Sequence, residues 1–234
     1  MDIYLVRHGE TDLNRAKVYY GAMDVPLNEN GRIQARAVGR CLEGIVFDKV
    51  YISSKLRTHQ TALEILKPEM ETSGAQWCQE ASGTKKGESG MSGPILADPR
   101  ISVLAGLDEM NFGSWEGLDY HQVQARYPSA WDAWCKDWLN TAPGGGECFC
   151  DFFNRVSRAF ERVLKEAKSR RWKNILICGH NGPLRVILAV MCGLGPEGTW
   201  HFNFDQDAYS MVEEQWEHFT VRKMNCKDKA GFTS

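Results

Sequence analysis

Three short apolar runs, each followed at once by polar residues, constrain the fold of this chain more than any other feature. The runs are DIYLV (2–6), DKVYIS (48–53) and NILICG (174–179). Continuous apolar runs of this length are typical of parallel strands that are covered on both faces. Segments of helical composition lie between and after them, at 30–42, 56–66, 151–168 and 185–191. The pattern predicts an α/β protein in which a mostly parallel central sheet forms the middle of a three-layer α/β/α arrangement.

The helix at 151–168 has the most regular pattern, because Val156, Phe160 and Val163 recur on one of its faces. We expect that face to belong to the hydrophobic core. Near the C-terminus, WHFNFDQDAYSMVEEQW (200–216) alternates between apolar and polar residues. This alternation predicts a terminal antiparallel hairpin with its turn at 205–207.

Residues 67–100 interrupt the pattern, since they include five glycines and four serines and show little periodicity. Such a composition is typical of loops. A boundary between two domains is one alternative, but the segments on either side look like parts of one sheet. We therefore expect a single domain over 1–234 with a flexible insertion at about 67–98.

Charge and hydropathy favour a small-molecule partner over a polymer or a membrane. The formal net charge is −2, with 28 basic and 30 acidic residues, so no charge excess draws the chain to nucleic acid or to a lipid surface. The longest apolar run, at 186–194, is about half of the ~20 residues that a membrane span needs. A strand-like run begins at once after Met1 and Asp2, which favours a cytosolic location. A homodimer is left open as one option.

The sequence also lacks the common motifs for metals and phosphate-binding cofactors. There is no H-x-x-x-H pair, no D-x-D pair at the end of a predicted strand and no G-x-x-x-x-G-K-[ST] loop. We therefore expect neither a metal nor a cofactor, and any bound phosphate would be held by side chains and backbone amides.

Two histidines occupy matching places, at the ends of two predicted strands. His8 ends the first run in LVRHG, and His180 ends the third in ICGHNG. Open parallel sheets bind ligands at the carboxyl ends of their strands, so both imidazoles can face one pocket. A single histidine in such a place is more often structural, but two in matching contexts, one beside Arg7, favour a functional site.

Arginines accompany these strand ends and indicate an anionic ligand. Arg7 precedes His8, and Arg57 follows the second strand at the predicted start of a helix. A guanidinium group gives two parallel hydrogen bonds to a phosphoryl group, and a helix N-terminus favours an anion as well. Arg57 alone would be interpreted as a solvated charge, but its convergence with Arg7 on one sheet edge favours a phosphate site.

These residues carry a resemblance to a known family. LVRHGET with Asn14 after it, SSKLRTHQT and GHNG are similar to the signature of the histidine phosphatase superfamily, with its phosphoglycerate-mutase-like fold. The resemblance covers nearly the whole chain, apart from 67 to about 98 and the last dozen residues. It implies that His8 is the nucleophile that forms a phosphohistidine. It also implies phosphate-binding groups around the phosphoryl oxygens, namely Arg7, Asn14, Arg57, His180 and Asn181.

The resemblance further implies a carboxylic acid on a loop in the middle of the chain, which protonates the leaving group. Glu109 in LDEMNFGSWEG matches this position, and Asp108 and Glu116 are close rivals. Partial burial and the negative charge of a bound phosphate would both raise the pKa of such a carboxyl.

The stretches LDEMNFGSWEG, AWDAWCKDWLNTAPGGGECF and WHFNFDQDAYSMVE resemble the α-ribazole phosphatases rather than the mutases of the superfamily. The implied reaction is hydrolysis of α-ribazole 5′-phosphate during assembly of the cobalamin nucleotide loop. Alternatives are a broad-specificity or sugar-phosphate phosphatase with the same centre and, from another class, a non-catalytic phospholigand-binding protein.

The tryptophans of the second stretch are spaced as on one face of a helix. Trp131, Trp134 and Trp138 are interpreted as core residues. A contact of Tyr120 or Tyr127, at the edge of this stretch, with a benzimidazole ring is left open.

Overall fold

The computed structural model describes residues 1–72 and 98–227. Most of the expected insertion lies outside the described residues, and the single domain over 1–234 stays a prediction. The strands are β1 (Asp2–Arg7), β2 (Lys49–Ile52), β3 (Ile101–Val103), β4 (Asn174–Gly179), β5 (Tyr209–Gln215) and β6 (His218–Cys226). The helices are α1 (Asp12–Ala16), α2 (Glu29–Cys41), α3 (Leu56–Thr72), α4 (Tyr120–Arg126), α5 (Pro128–Lys136), α6 (Phe149–Arg170) and α7 (Asn181–Met191).

The six strands form one sheet in the order β3-β2-β4-β1-β5-β6. The first four run parallel, while β5 pairs antiparallel with β1 and β6 pairs antiparallel with β5. This confirms the predicted α/β class and the mostly parallel sheet. β4 inserts between β1 and β2, so the first and third apolar runs of the sequence lie side by side.

Each central strand contributes to two hydrophobic layers because successive side chains point to opposite faces of the sheet. In β1, Ile3 and Leu5 pack with α6 and α7, whereas Tyr4 and Val6 pack with α2 and α3. The two clusters are separate, as a three-layer arrangement requires. The predicted stripe on α6 is part of the first cluster, where Val156, Phe160 and Val163 are fully buried or nearly so.

Two helices are longer than the apolar pattern predicts. α3 continues to Thr72, so residues 67–72 are helical and not part of a loop. α7 begins at Asn181, four residues before the predicted start, with His180 as its N-cap. Pro183 lies in the first turn of α7, where a backbone N–H has no partner within the helix, so proline is tolerated there.

The terminal hairpin is present, but the turn predicted at 205–207 is wrong. The strands β5 and β6 are joined at Trp216 and Glu217, whose φ angles of 52° and 67° form a tight turn with positive φ at both positions. Residues 196–201 form a short 3-10 helix, and 202–208 form a loop with a turn at 206–207. This loop resembles a strand in sequence because Phe202 and Phe204 pack on the hydrophobic core while polar residues lie between and after them.

Pairing of β1 with β4 sets the place of the candidate site. Arg7 lies opposite Gly179 in the register, and the backbone N–H of His8 donates to Gly179 O at 2.9 Å. Both chains therefore leave the sheet at the same level. Among the described residues, no helix is long and apolar enough to cross a bilayer.

Candidate active site

His8 and His180 face each other where β1 and β4 end. Their ring centroids are 5.1 Å apart, and the ring planes cross at 64°. Both side chains are buried, at 4% and 0% exposure. Together with Arg7 and Arg57 they line one cavity of about 310 Å³. The predicted meeting of these four side chains around one space is confirmed.

The hydrogen bond of His8 defines its tautomer. Nδ1 lies 2.7 Å from Gly9 O, and because a carbonyl oxygen only accepts, Nδ1 carries the proton. Nε2 therefore keeps its lone pair. Burial lowers the pKa of His8 well below its ordinary value, and the charges of Arg57 and Arg7 lower it further. The ring is a neutral base with one free nitrogen, as a nucleophile requires.

A chain of hydrogen bonds orients His180. Thr58 Oγ1 donates to Lys55 O at 2.8 Å, which leaves Thr58 Oγ1 to accept from Ser53 Oγ at 3.0 Å. Ser53 Oγ in turn accepts from His180 Nε2 at 2.7 Å. His180 Nδ1 is then an acceptor, and Arg57 Nε donates to it at 3.2 Å. Burial, and next the charge of Arg57, hold the pKa of His180 well below its ordinary value.

Arg57 is fully buried, and three of its nitrogens are fixed by neutral acceptors. Besides the bond to His180, Nη1 donates to Met23 O at 2.8 Å and Nη2 to Gly21 O at 3.1 Å. The guanidinium carbon lies 4.8 Å from the centre of the Tyr20 ring. Of the five N–H groups of an arginine, two are left for a ligand.

A loop near the C-terminus fixes Arg7 and Asn14. Arg7 Nη1 donates to Phe204 O at 2.9 Å, and Gln206 Nε2 donates to Asn14 Oδ1 at 2.8 Å. The backbone N–H of Thr11 also donates to Asn14 Oδ1, at 3.1 Å. Because these donors occupy Oδ1, the amide nitrogen of Asn14 is the group available to the cavity.

Among the side chains that the structure describes, at 1–67 and 98–227, the positive charge of the site has no close counter-ion. No carboxylate oxygen of these residues lies within 4.0 Å of the guanidinium nitrogens of Arg7 or Arg57. Two guanidinium groups and two neutral imidazoles thus meet in one cavity. The two guanidinium groups are donors suited to a group with two negative charges, such as a phosphate monoester, and the neutral imidazoles add no further positive charge.

Glu109 is the acidic residue that lies beside these groups. Its carboxyl oxygens accept from the backbone N–H of Met110 at 3.0 Å and of Gly182 at 3.1 Å. Burial raises the pKa of Glu109 above its ordinary value, although those two N–H groups and the charges of Arg57 and Arg7 act in the opposite direction. Glu109 lines the cavity and is suited to hold a proton there.

The rival acids lie elsewhere. Asp108 accepts from the backbone N–H of Ser54 at 2.7 Å and from its hydroxyl at 2.5 Å, and it lines a second, more open cavity. Glu116 does not line the main cavity, and backbone N–H groups of the loop 21–23 and of Phe112 occupy its oxygens. The geometry therefore favours Glu109 over both.

The remaining wall of the cavity is largely aromatic. Tyr19, Phe112, Trp134, Phe149 and Trp200 contribute to it. Trp200 stacks on Phe149 with 5.7 Å between ring centroids and 25° between planes, and it is 54% exposed at the edge of the cavity. This wall lies next to the cationic groups and offers a planar apolar surface to the rest of a ligand.

The aromatic residues of this wall differ from those that the sequence predicts. Tyr120 and Tyr127 are not among the residues that line the cavity. Trp131, Trp134 and Trp138 are only partly buried, and Trp138 lies beyond the end of α5, where it packs on Phe149 and Trp200. The helix is shorter than the spacing suggested, so the three rings do not share one face.

Asn181 lies at the cavity wall, although its side chain also serves the neighbouring loop. Its Oδ1 accepts from the backbone N–H of Phe204 at 3.2 Å. Arg185, which the sequence analysis missed, lines the same wall and donates to Asn203 Oδ1 at 2.8 Å. Its spacing of four residues from Asn181 on α7 is the signal that could have identified it.

Comparison with known proteins identifies the family. The model of the histidine phosphatase superfamily (branch 1) matches residues 3–74 and 94–227. The chain belongs to this superfamily. The matched segments contain Arg7, His8, Arg57 and His180 and leave 75–93 between them.

Individual members of the superfamily are similar over almost their full length. An adenosylcobalamin/alpha-ribazole phosphatase of Salmonella typhimurium is 30% identical over 227 residues, which are 97% of each chain. The crystal structure of an alpha-ribazole phosphatase from Shigella flexneri has a TM-score of 0.78 at 29% identity, and the alignment covers 97% of this chain and 96% of that one. Phosphoserine phosphatase 1 of Hydrogenobacter thermophilus is 26% identical over 95% of this chain and 91% of its own. The protein is a phosphoric monoester hydrolase with the phosphoglycerate-mutase-like fold.

We expect His8 to be neutral, with its proton on Nδ1, at pH 7 and at pH values well below 6.5. Burial and the two guanidinium groups disfavour the imidazolium ion, so the proton is taken up only below the ordinary pKa. A pH titration followed by ¹H–¹⁵N correlation of the ring nitrogens measures both properties. Protonation of His8 at pH 6.5 or above, or a proton on Nε2 in the neutral ring, would contradict the geometry.

Proposed function

We propose that this phosphatase hydrolyses α-ribazole 5′-phosphate to α-ribazole and phosphate through a phosphohistidine at His8. The main support for the proposal is that two different surfaces, one cationic and one aromatic, line the same cavity. A cluster of phosphoryl-binding cations lies directly beside an aromatic wall. A benzimidazole nucleoside monophosphate has the matching chemistry, since it carries a dianion at one end and a planar apolar ring system at the other.

The first step transfers the phosphoryl group to the enzyme. His8 Nε2 attacks phosphorus with its lone pair, and the bond from phosphorus to the 5′ oxygen breaks. Protonated Glu109 gives its proton to the departing oxygen, so α-ribazole leaves as a neutral alcohol. Because burial raises the pKa of Glu109, its protonated form is available at higher pH than for an exposed carboxyl.

The second step releases the phosphate. Glu109, now a carboxylate, takes a proton from a water molecule, and the oxygen of that water attacks the phosphorus of phosphohistidine. The bond from Nε2 to phosphorus breaks, and its electron pair returns to the imidazole. The products are inorganic phosphate and the enzyme in its initial protonation state.

The residues around His8 bind the phosphoryl oxygens in both steps. Arg7 and Arg57 offset the negative charge, and the amide nitrogen of Asn14 adds a neutral donor. His180 holds Arg57 through its Nδ1 and offers no free N–H in the tautomer that the structure shows, and Asn181 lies beside the cluster at the N-terminus of α7. These donors are held before the substrate arrives, so little reorganisation is needed in the transition state.

The aromatic wall distinguishes α-ribazole 5′-phosphate from phosphoserine, the substrate that the name of the Hydrogenobacter relative gives. Serine has no planar group to stack on Trp200 or Phe149. Stacking of a base on an aromatic side chain contributes about 1–3 kcal/mol, which corresponds to about five-fold to 150-fold in kcat/KM.

A cytosolic location is proposed on the sequence pattern alone.

A substrate panel tests the assignment. We expect kcat/KM for α-ribazole 5′-phosphate to exceed that for phosphoserine and for sugar phosphates by at least about ten-fold. Trp200→Ala should lower kcat/KM about ten-fold for α-ribazole 5′-phosphate and change it little for phosphoserine. The matched control is Trp216→Ala, because Trp216 is 82% exposed at the tip of the hairpin and does not line the cavity. Similar kcat/KM values across the panel would indicate the broad-specificity alternative.

Replacement of Glu109 tests its role as the acid. Glu109→Gln should lower kcat/KM for α-ribazole 5′-phosphate by about 10²–10⁴, whereas 4-nitrophenyl phosphate should lose much less because its leaving group needs no proton. In the unsubstituted enzyme the rate for the alkyl ester falls as pH rises through the pKa of Glu109, and this fall should be absent in the variant. Asp108→Asn is the control. Equal losses for both esters in Glu109→Gln, or leaving-group dependence in Asp108→Asn, would exclude Glu109 as the acid.

A further inference from the structure

Arg57 depends on a loop that has no regular secondary structure. Two of its guanidinium nitrogens donate to carbonyl oxygens of this loop, which comprises residues 21–23, at Met23 and Gly21. Carbonyl groups are neutral acceptors, so they hold the guanidinium by direction and distance and not by net charge. The place of Arg57 in the cavity therefore depends on the backbone of the loop 21–23 as well as on its bond to His180.

The loop is in turn held by one carboxylate. Glu116 Oε1 accepts from the N–H of Gly21 at 2.8 Å and of Ala22 at 2.9 Å, and Oε2 accepts from the N–H of Met23 at 2.9 Å. A fourth N–H, that of Phe112, donates to Oε1 at 3.1 Å and ties the carboxylate to its own segment. Bonds from N–H groups to a carboxylate are shorter and stronger than bonds between neutral groups.

The loop carries acceptors toward Arg57 and donors toward Glu116. Gly21 and Met23 each use their C=O for the arginine and their N–H for the glutamate. Gly21 also packs closely on the loop of the acid, since a Cβ atom at this position would lie 1.7 Å from Met110 O. The backbone at 21–23 therefore has little freedom while Glu116 is in place.

We propose that Glu116 is a positioning residue for Arg57, acting through the backbone of the loop 21–23. It does not line the substrate cavity, so its effect on the ligand is transmitted by the guanidinium group. The inference rests on the proposed role of Arg57 in binding the phosphoryl group. According to this proposal, Glu116 takes no part in proton transfer and instead affects the affinity of the site for phosphate.

The binding of inorganic phosphate, measured by calorimetry in a double-mutant cycle, tests this proposal. The variants are Glu116→Gln, Arg57→Lys and the pair. Glutamine has the same shape but only one acceptor oxygen, so it cannot bind all the N–H groups of the loop. We expect Glu116→Gln to weaken phosphate binding by about ten-fold when Arg57 is present, and by less than about two-fold in the Arg57→Lys background.

A matched control separates positioning from stability. Asp48 also binds backbone N–H groups, those of Lys173 at 2.7 Å and Asn174 at 2.9 Å, but at the opposite end of the sheet. Asp48→Asn should lower Tm, measured by thermal unfolding, and leave the Kd of phosphate unchanged. If Glu116→Gln does not fold, Glu116→Asp replaces it in the cycle, with a smaller loss expected. If neither folds, Glu116 is a folding residue and the proposal is wrong.

The outcomes distinguish this inference from the function on which it rests. An equal loss of affinity from Glu116→Gln in both backgrounds, or no loss in either, overturns the positioning role alone. An unchanged Kd in Arg57→Ala, measured in the same way, would show that Arg57 does not bind phosphate, and the phosphoryl-binding role proposed for Arg57 would then fail together with the positioning role.

Discussion

Burial of positive charge, with no close counter-ion among the side chains that the structure describes, is the constraint on which the rest of the site depends. Arg57 is fully buried and Arg7 partly so, and an unpaired ion inside a protein costs several kcal/mol. Carbonyl groups of three loop residues, Phe204, Gly21 and Met23, offset part of this cost. The remaining positive potential favours a dianion in the cavity and neutral imidazoles beside it. Burial, and next the charges of Arg57 and Arg7, lower the pKa of His8 and keep its ring neutral, as the proposed nucleophile requires.

This constraint explains why distant segments converge on one sheet edge. The loop 202–208 supports Arg7 and Asn14, and the loop 21–23 supports Arg57. The acid loop is attached separately, through Asp108 to Ser54 and through Glu109 to the first turn of α7. Nucleophile, cations and acid are thus held by different parts of the chain. The role proposed for Glu116 concerns only the part of the chain that holds Arg57.

The sequence predicts those parts of the site that depend on local structure. His8 and His180 follow apolar runs directly, and the parallel pairing of those runs makes the two histidines neighbours. The hydrogen-bond partners that hold the site residues in place are not predictable in this way. Arg7 and Phe204 are 197 residues apart, and Asn14 and Gln206 are 192 apart. No spacing rule relates such positions, and a backbone carbonyl has no signal in the sequence. The aromatic wall was misassigned for the same reason, because Phe149 and Trp200 come from separate elements.

Trapping of the phosphorylated enzyme tests the central claim most directly. Substrate with a ³²P-labelled phosphoryl group is mixed rapidly with the enzyme, quenched in alkali and analysed by peptide mapping, with His8→Ala as the control. We expect the label on Nε2 of His8, because Nδ1 is occupied by its hydrogen bond to Gly9 O. Label on Nδ1, on another residue, or on no residue of an enzyme that turns over would contradict the proposed role of His8.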